Sequence, residues 1–211
     1  MNYKVIATGS TGNATIIEDT ILIDCGVSYK AIKPYINDIK IVLLTHLHRD
    51  HFNTSTIKKI AEERPTMRFG CGSWLVMDLL KLGVDKRNID VYLLDLEHKY
   101  KGFSIIPFQL FHDVSNLGYK IIINNKKIIY ATDTNKIDHI EAKDFDLYLI
   151  EGNYTEDELE ERIKTKLENG EFVHEYRVRK THLSKEKATE WLLKNMGDNS
   201  EYVWMHEHVE R

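Results

Sequence analysis

Apolar positions along the chain follow two rhythms. In the first, short apolar runs alternate with turn residues: "YKVIAT", "ATIIED" and "TILIDCG", the first two separated by "GSTGN", predict two or three short strands. Ile41, Val42, Leu43 and Leu44 form a continuous run of the kind carried by a strand buried on both faces. Strand signals return over 91–96, 103–111 and 117–123. Asn124 and Asn125 then turn the chain into "KKIIYATDT", and "DLYLIEGN" adds another buried strand. The second rhythm is helical. Ile57, Ile60 and Ala61 share a face over 54–64, which Pro65 ends, and a helical tract over 73–82 stops at Gly83. Thr155 and Glu158 make a capping box ahead of Leu159, Ile163 and Leu167. Ser184 caps a last helix carrying Ala188, Trp191 and Leu192, and "YVWM" is a short closing strand. Strands followed by helices, twice over, predict an α/β protein with two sheets packed between helices.

With 211 residues, 42% of them hydrophobic, the chain has enough apolar material for one well-buried core, so a single domain over 1–211 is expected. No repeat, low-complexity segment or linker divides it. No stretch reaches the ~18 apolar residues of a membrane span, and "MNYKVIATGS" does not resemble a secretory signal. A cytoplasmic protein without membrane contact is expected. In a reducing compartment Cys25 and Cys71 read as small buried residues. The net charge of −4 argues against coating nucleic acid through a broad basic surface, but leaves room for a local basic channel. The densest basic tract is "HEYRVRKTH", with Arg177, Arg179 and Lys180, followed by Lys185 and Lys187. A solvated loop and helix face accounts for it at least as well as phosphate contact does.

The chemistry concentrates in "IVLLTHLHRDHFN", residues 41 to 53. His46, His48, Asp50 and His51 fall within six consecutive positions, directly after the buried strand. Imidazole and carboxylate suit zinc, manganese or iron. On an extended chain His46 and His48 point the same way while Asp50 and His51 diverge, which suits two metals better than one. Four residues cannot saturate two ions, so further ligands must come from other strand ends. His112 follows "FSIIPFQLF", Asp133 follows "KKIIYAT", and His206 follows "EYVWM", with His208 as a competitor. A buried polar group at any of these places is costly unless paired or ligated.

The order of Asp24 in "LIDCG", then "HLHRDH", His112 in "FHD", Asp133 in "ATDT" and a C-terminal histidine resembles the five motifs of the metallo-β-lactamase fold. "TGSTGN", "EGN" and "THLS" are similar to motifs of its phosphodiesterase and nuclease branch, which includes tRNase Z and small single-domain bacterial and phage hydrolases. The chain departs from that branch at Tyr154, at Lys185 and in "HEH". The resemblance implies a four-layer αββα sandwich. It also implies two divalent metal ions, zinc first and manganese or iron as alternatives. His46, His48 and His112 would hold one ion and Asp50, His51 and His206 the other, bridged by Asp133, with Asp24 orienting the ligand loop.

A bridged metal pair lowers the pKa of bound water from ~15.7 to roughly 7, and the bridging hydroxide can attack phosphorus. Departure of the alkoxide needs a proton, for which His182 paired with Glu151 is the natural donor; a structural hydrogen bond is the alternative. The expected function is a two-metal phosphodiesterase or nuclease whose substrate is nucleic acid or a small nucleotide. The alternatives are a thioester or lactone hydrolase of the same fold and a metal-loaded binding module without turnover. The sequence leaves the oligomeric state open.

Overall fold

A computed structural model describes residues 1–207 of the chain. Its first sheet contains β1 (Tyr3–Ala7), β2 (Ala14–Ile17), β3 (Ile21–Ile23), β4 (Ile41–Leu43), β5 (Arg68–Cys71) and β6 (Ile89–Val91), side by side in chain order. The second contains β7 (His98–Tyr100), β8 (Phe103–Phe111), β9 (Ser115–Ile123), β10 (Lys126–Ala131), β11 (Leu147–Glu151) and β12 (Glu201–Met205), again in order. Each sheet is antiparallel at one side and parallel at the other: β3 to β6 run parallel, as do β10 to β12.

The helices are α1 (Tyr29–Ile32), α2 (Thr54–Glu63), α3 (Val76–Lys81), α4 (Glu156–Glu168), α5 (Glu175–Thr181) and α6 (Lys185–Asn195). Strand periodicity decides what they cover. Ile21, Ile23, Ile41 and Leu43 point inward and pack against Tyr119, Ile121, Leu147 and Leu149 of the other sheet. Leu22, Val42 and Leu44 point outward, onto Ile57 and Ile60 of α2 and Leu79 of α3. Ala188, Trp191 and Leu192 of α6 cover Ile129, Tyr148 and Ile150 on the far side. The result is the four-layer αββα sandwich, with β4 buried on both faces as its sequence predicts. Each fully buried aliphatic side chain contributes about 1.5–3 kcal/mol of apolar transfer.

The capping box at Thr155 matches the sequence, and α2 carries a further cap. Asn53 accepts from the Thr56 amide at the start of α2, and Thr155 and Glu158 form a complete capping box on α4. Over 91–96 the expectation is corrected. The β6 ladder ends where Val91 pairs with Cys71, and the chain crosses there to the second sheet, leaving Leu93, Leu94 and Leu96 exposed. Those leucines imitate a strand without having a neighbour to pair with. The short elements α1, β5 and β7 lack a clear apolar period, and α5 forms where the basic tract suggested a loop running into a helix face. Cys25 and Cys71 are free and buried. No helix among the described residues is long and apolar enough to cross a membrane.

Candidate metal centre

One rim of the sandwich collects the strand ends. Asp24 follows β3, His46 lies three residues beyond β4, His112 follows β8, Asp133 lies just beyond β10, Glu151 ends β11 and His206 follows β12. After β4 the chain turns tightly, with the His51 and Phe52 amides both donating to the His48 carbonyl. This turn is possible because position 26 is glycine: a Cβ there would overlap the Asp50 carbonyl.

The histidines and acids form two clusters that share an edge. His46, His48 and His112 lie with ring centroids 4.8, 5.3 and 5.0 Å apart, and His48 Nδ1 is 3.3 Å from His112 Nε2. His206 Nε2 is 3.5 Å from Asp50 Oδ2, and His51 Nε2 is 3.7 Å from the same oxygen. Asp133 stands between the clusters, 2.9 Å from His51 Nε2, 3.4 Å from His206 Nε2 and 3.8 Å from His112 Nε2. In each of the two triads, donor atoms lie within 4.8 Å of one another, a spacing that could hold a metal ion. Asp133, Glu151, His182 and His206 form another such group.

Each of these histidines is held through the nitrogen that faces away from the clusters. His51 Nδ1 donates to Asp24 Oδ2 at 2.7 Å, while Asp24 Oδ1 accepts the Thr45 amide at 2.9 Å. His112 Nδ1 donates to the Thr181 carbonyl at 2.9 Å, and Asn153 donates to His206 Nδ1 at 3.0 Å. Thr45 Oγ1 holds His46 Nδ1 at 3.0 Å. His48 is reversed: its Nδ1 lies toward His112, and its Nε2 is 3.3 Å from Asp113 Oδ1, which is equally close to His112 Nε2. This is how ligand histidines are oriented and their tautomers set.

Two inward atoms lack a well-formed hydrogen bond: the buried His46 Nε2 has no partner, and Asp133 Oδ2 has only the His51 Nε2 contact at 2.9 Å, out of line for a hydrogen bond. Orphaned acceptors at full burial are costly, and a cation between them removes the cost, so the donor set fits a metal. Asn13 Nδ2 reaches His51 Nε2 at 2.8 Å and the Gly9 and Asp50 carbonyls at 3.0 and 3.2 Å.

Burial pulls the His46 and His112 imidazoles down toward the neutral, ligating form. Burial opposes the charge on His51, but the Asp133 and Asp24 carboxylates on either side outweigh it and hold its pKa well above the usual value. Burial likewise works against Asp133, yet the surrounding His51 and His206 keep its carboxyl well below the ordinary range. Asp24, Asp133 and His206 have φ of 61°, 57° and 54°. Such conformations cost on the order of 1–3 kcal/mol each and cluster where function demands them.

A cavity of about 260 Å³ opens over the clusters, lined by His48, Asp50, His112, Asp133, His182 and His206. His182 Nδ1 lies 2.6 Å from Glu151 Oε1, and Glu151 Oε2 accepts the Thr134 and Leu183 amides at 2.8 and 3.3 Å. Burial disfavours the His182 cation, but the Glu151 carboxylate prevails and lifts the imidazole to about 9.

The structure thus brings together every sequence-predicted site residue. His208, the competitor of His206, lies outside the described residues. The sequence assigns no supporting role to Asp113, Asn13, Asn153 or Thr45, although "FHD", "TGSTGN" and "EGN" contain the first three. Asp113 is disguised by following His112 in a turn, and Asn13 and Asn153 by glycine-containing turns. The basic tract divides: Arg177 reaches the cavity rim and pairs with Asp113, whereas Arg179 pairs with Glu156 and Glu160 on the helix surface.

Residues 19–206 match the beta-lactamase superfamily domain. The chain belongs to the beta-lactamase superfamily. It is 25% identical over 148 residues to exodeoxyribonuclease YycJ of Bacillus anthracis, covering 65% of this chain and 56% of that protein. To ribonuclease Z of Archaeoglobus fulgidus it is 24% identical over 153 residues, covering 60% and 50%. The chain therefore spans about half the length of the curated relatives it matches. Among superfamily structures, the metallo-beta-lactamase fold protein YhfI of Bacillus subtilis superposes with a TM-score of 0.74 at 16% identity, over 99% of this chain and 87% of that one. At that identity the likeness establishes the fold.

Proposed function

We propose that residues 1–211 form a single-domain, two-metal phosphodiesterase acting on nucleic acid or a nucleotide diester. The observation that carries this reading is the His182 imidazole, hydrogen-bonded to Glu151, on the wall of the same cavity as two clusters of possible metal ligands joined by Asp133. A relative named exodeoxyribonuclease and another named ribonuclease Z support the substrate class. His46, His48 and His112 would hold one ion, Asp50, His51 and His206 the other, and Asp133 would touch both. The imidazole-rich donor set favours zinc, with manganese and iron as alternatives. When bound, such a pair supplies activation of water and neutralisation of phosphoryl charge.

The remaining work falls to the chain itself. His182 carries a proton at neutral pH because Glu151 stabilises its cation, and it gives that proton to the departing oxygen. Glu151 is fixed by two backbone amides, so it keeps the imidazole's orientation and tautomer as the proton leaves. Asp24, Asp113, Asn153 and the Thr181 carbonyl hold the ligand rings in register before substrate arrives.

The test is turnover after chelation and reloading with zinc or manganese. Bis-nitrophenyl phosphate and a dinucleotide should be hydrolysed, and a thioester and a lactone should not. Cleavage of the thioester or lactone alone would replace this reading with the carbonyl-hydrolase alternative. A loaded protein inert on all four would be a binding module.

A further inference from the structure

We propose that a trough leading away from the metal cavity along α2 carries the backbone of a single-stranded polynucleotide, with Arg49 and Lys59 as its phosphate ligands. The proposal rests on the phosphodiesterase reading and narrows its substrate from any diester to a strand. Three neighbouring depressions share lining residues. Ser10 and Asp50 line both the metal cavity and a neighbouring depression of about 480 Å³. Ser28, Arg49 and Asn53 line both that depression and a third of about 690 Å³, whose wall includes Lys59. The metal cavity, about 260 Å³, is smaller than the roughly 300–1,000 Å³ of sites that engulf a drug-sized ligand. It has room for the scissile linkage, while the larger outer depressions have room for the flanking nucleotides.

The charge along this path suits phosphates. Arg68, Arg87, Arg177 and Arg179 each pair with a carboxylate, whereas Arg49 has no such partner among the described residues. Among the described residues, Asp50 is the only acid lining the two outer depressions, and it belongs to the metal clusters. Lys59 contacts Glu62 and Glu63 at 3.5 and 3.6 Å, on an exposed helix face where such pairs are weak and readily exchanged. With a net charge of −4, the molecule as a whole does not attract an anion, so local cations must do so. Tyr29 and Leu47 also line the outermost depression, and Leu47 is 47% exposed. They give unstacked bases an apolar surface, which a duplex, with its bases paired inside, would not use.

The test is fluorescence anisotropy of a labelled thymidine hexanucleotide with phosphorothioate linkages, titrated with metal-loaded protein over a range of salt. Arg49→Ala and Lys59→Ala should each weaken binding about five- to tenfold. Each should also make the slope of log affinity against log salt shallower by about 0.7, the value for one phosphate contact on a single strand. Arg49→Lys should restore the slope. Binding of a dinucleotide should be indifferent to Lys59→Ala. Lys59 lies away from the ligand turn, so its variant separates phosphate contact from disturbance of Asp50. Unchanged affinity and slope in both alanine variants would overturn the proposal, as would a hexanucleotide that binds no tighter than the dinucleotide. A protein that cleaves small diesters yet gives that result keeps its function and loses the trough. One that binds the hexanucleotide through Arg49 and Lys59 but cleaves no diester keeps the trough and loses the function.

Discussion

Asp24→Asn changes one atom in a fully buried group, and the surrounding hydrogen bonds determine its effect. Asp24 Oδ1 accepts the Thr45 amide at 2.9 Å, and Oδ2 accepts His51 Nδ1–H at 2.7 Å. The Thr45 amide can only donate, so the asparagine oxygen stays with it and the new NH2 turns toward His51. The neutral imidazole must then accept at Nδ1 and carry its proton on Nε2, the nitrogen that faces the second cluster. Ligation requires the opposite tautomer, in which two buried donors face each other at a cost of about 1–3 kcal/mol. Tenfold in affinity corresponds to about 1.4 kcal/mol, so one metal equivalent should bind about ten- to a hundredfold more weakly. Asparagine tolerates the φ of 61° at this position, so the backbone adds no further strain. The assay is competition between the protein and a chromophoric chelator for zinc, with far-ultraviolet circular dichroism to show that the variant stays folded. Two equivalents bound as in the parent protein would refute the tautomer argument. Equal weakening of both would show that Asp24 supports the whole rim and does not act through His51 alone.

His182→Ala should leave metal content unchanged and lower turnover of a dinucleotide about a hundredfold or more, with a much smaller loss on a nitrophenyl diester whose leaving group needs no proton. Glu151→Gln should give part of that effect, and equal losses on the two substrates would remove His182 from the acid role. His48→Ala should empty chiefly the first metal site and Asp50→Ala the second, each read as about one equivalent lost by elemental analysis after dialysis; a parent protein that takes up neither zinc nor manganese would defeat the assignment. Leu149→Ala, between the two sheets, should cost about 2–5 kcal/mol in urea unfolding, and an unchanged midpoint would show that the site collapses around the smaller side chain.

Local physics made much of the fold readable from the sequence. The run 41–44 had to be buried on both faces, the Thr155 and Glu158 box had to start a helix, and "HLHRDH" placed four donors at the end of one strand whatever the rest of the chain did. The ends of other apolar runs pointed to His112, Asp133 and His206, because a polar residue at such a place is expensive without a partner. Tertiary structure decided which of them meet. His48 and His112 are 64 residues apart, and Asp50 and His206 are 156 apart; their proximity comes from strands of both sheets ending on a common rim. The supporting residues were hidden for the same reason. Asn13, Asp113 and Asn153 lie within "TGSTGN", "FHD" and "EGN", motifs that carry the resemblance, but their roles emerge only from the imidazole each one touches. The exposed leucines of 91–96 show the converse, since apolar residues predict a strand while only a neighbouring strand can pair with it. Period and capping are encoded within a few residues, whereas ligand geometry depends on contacts between segments far apart in the chain.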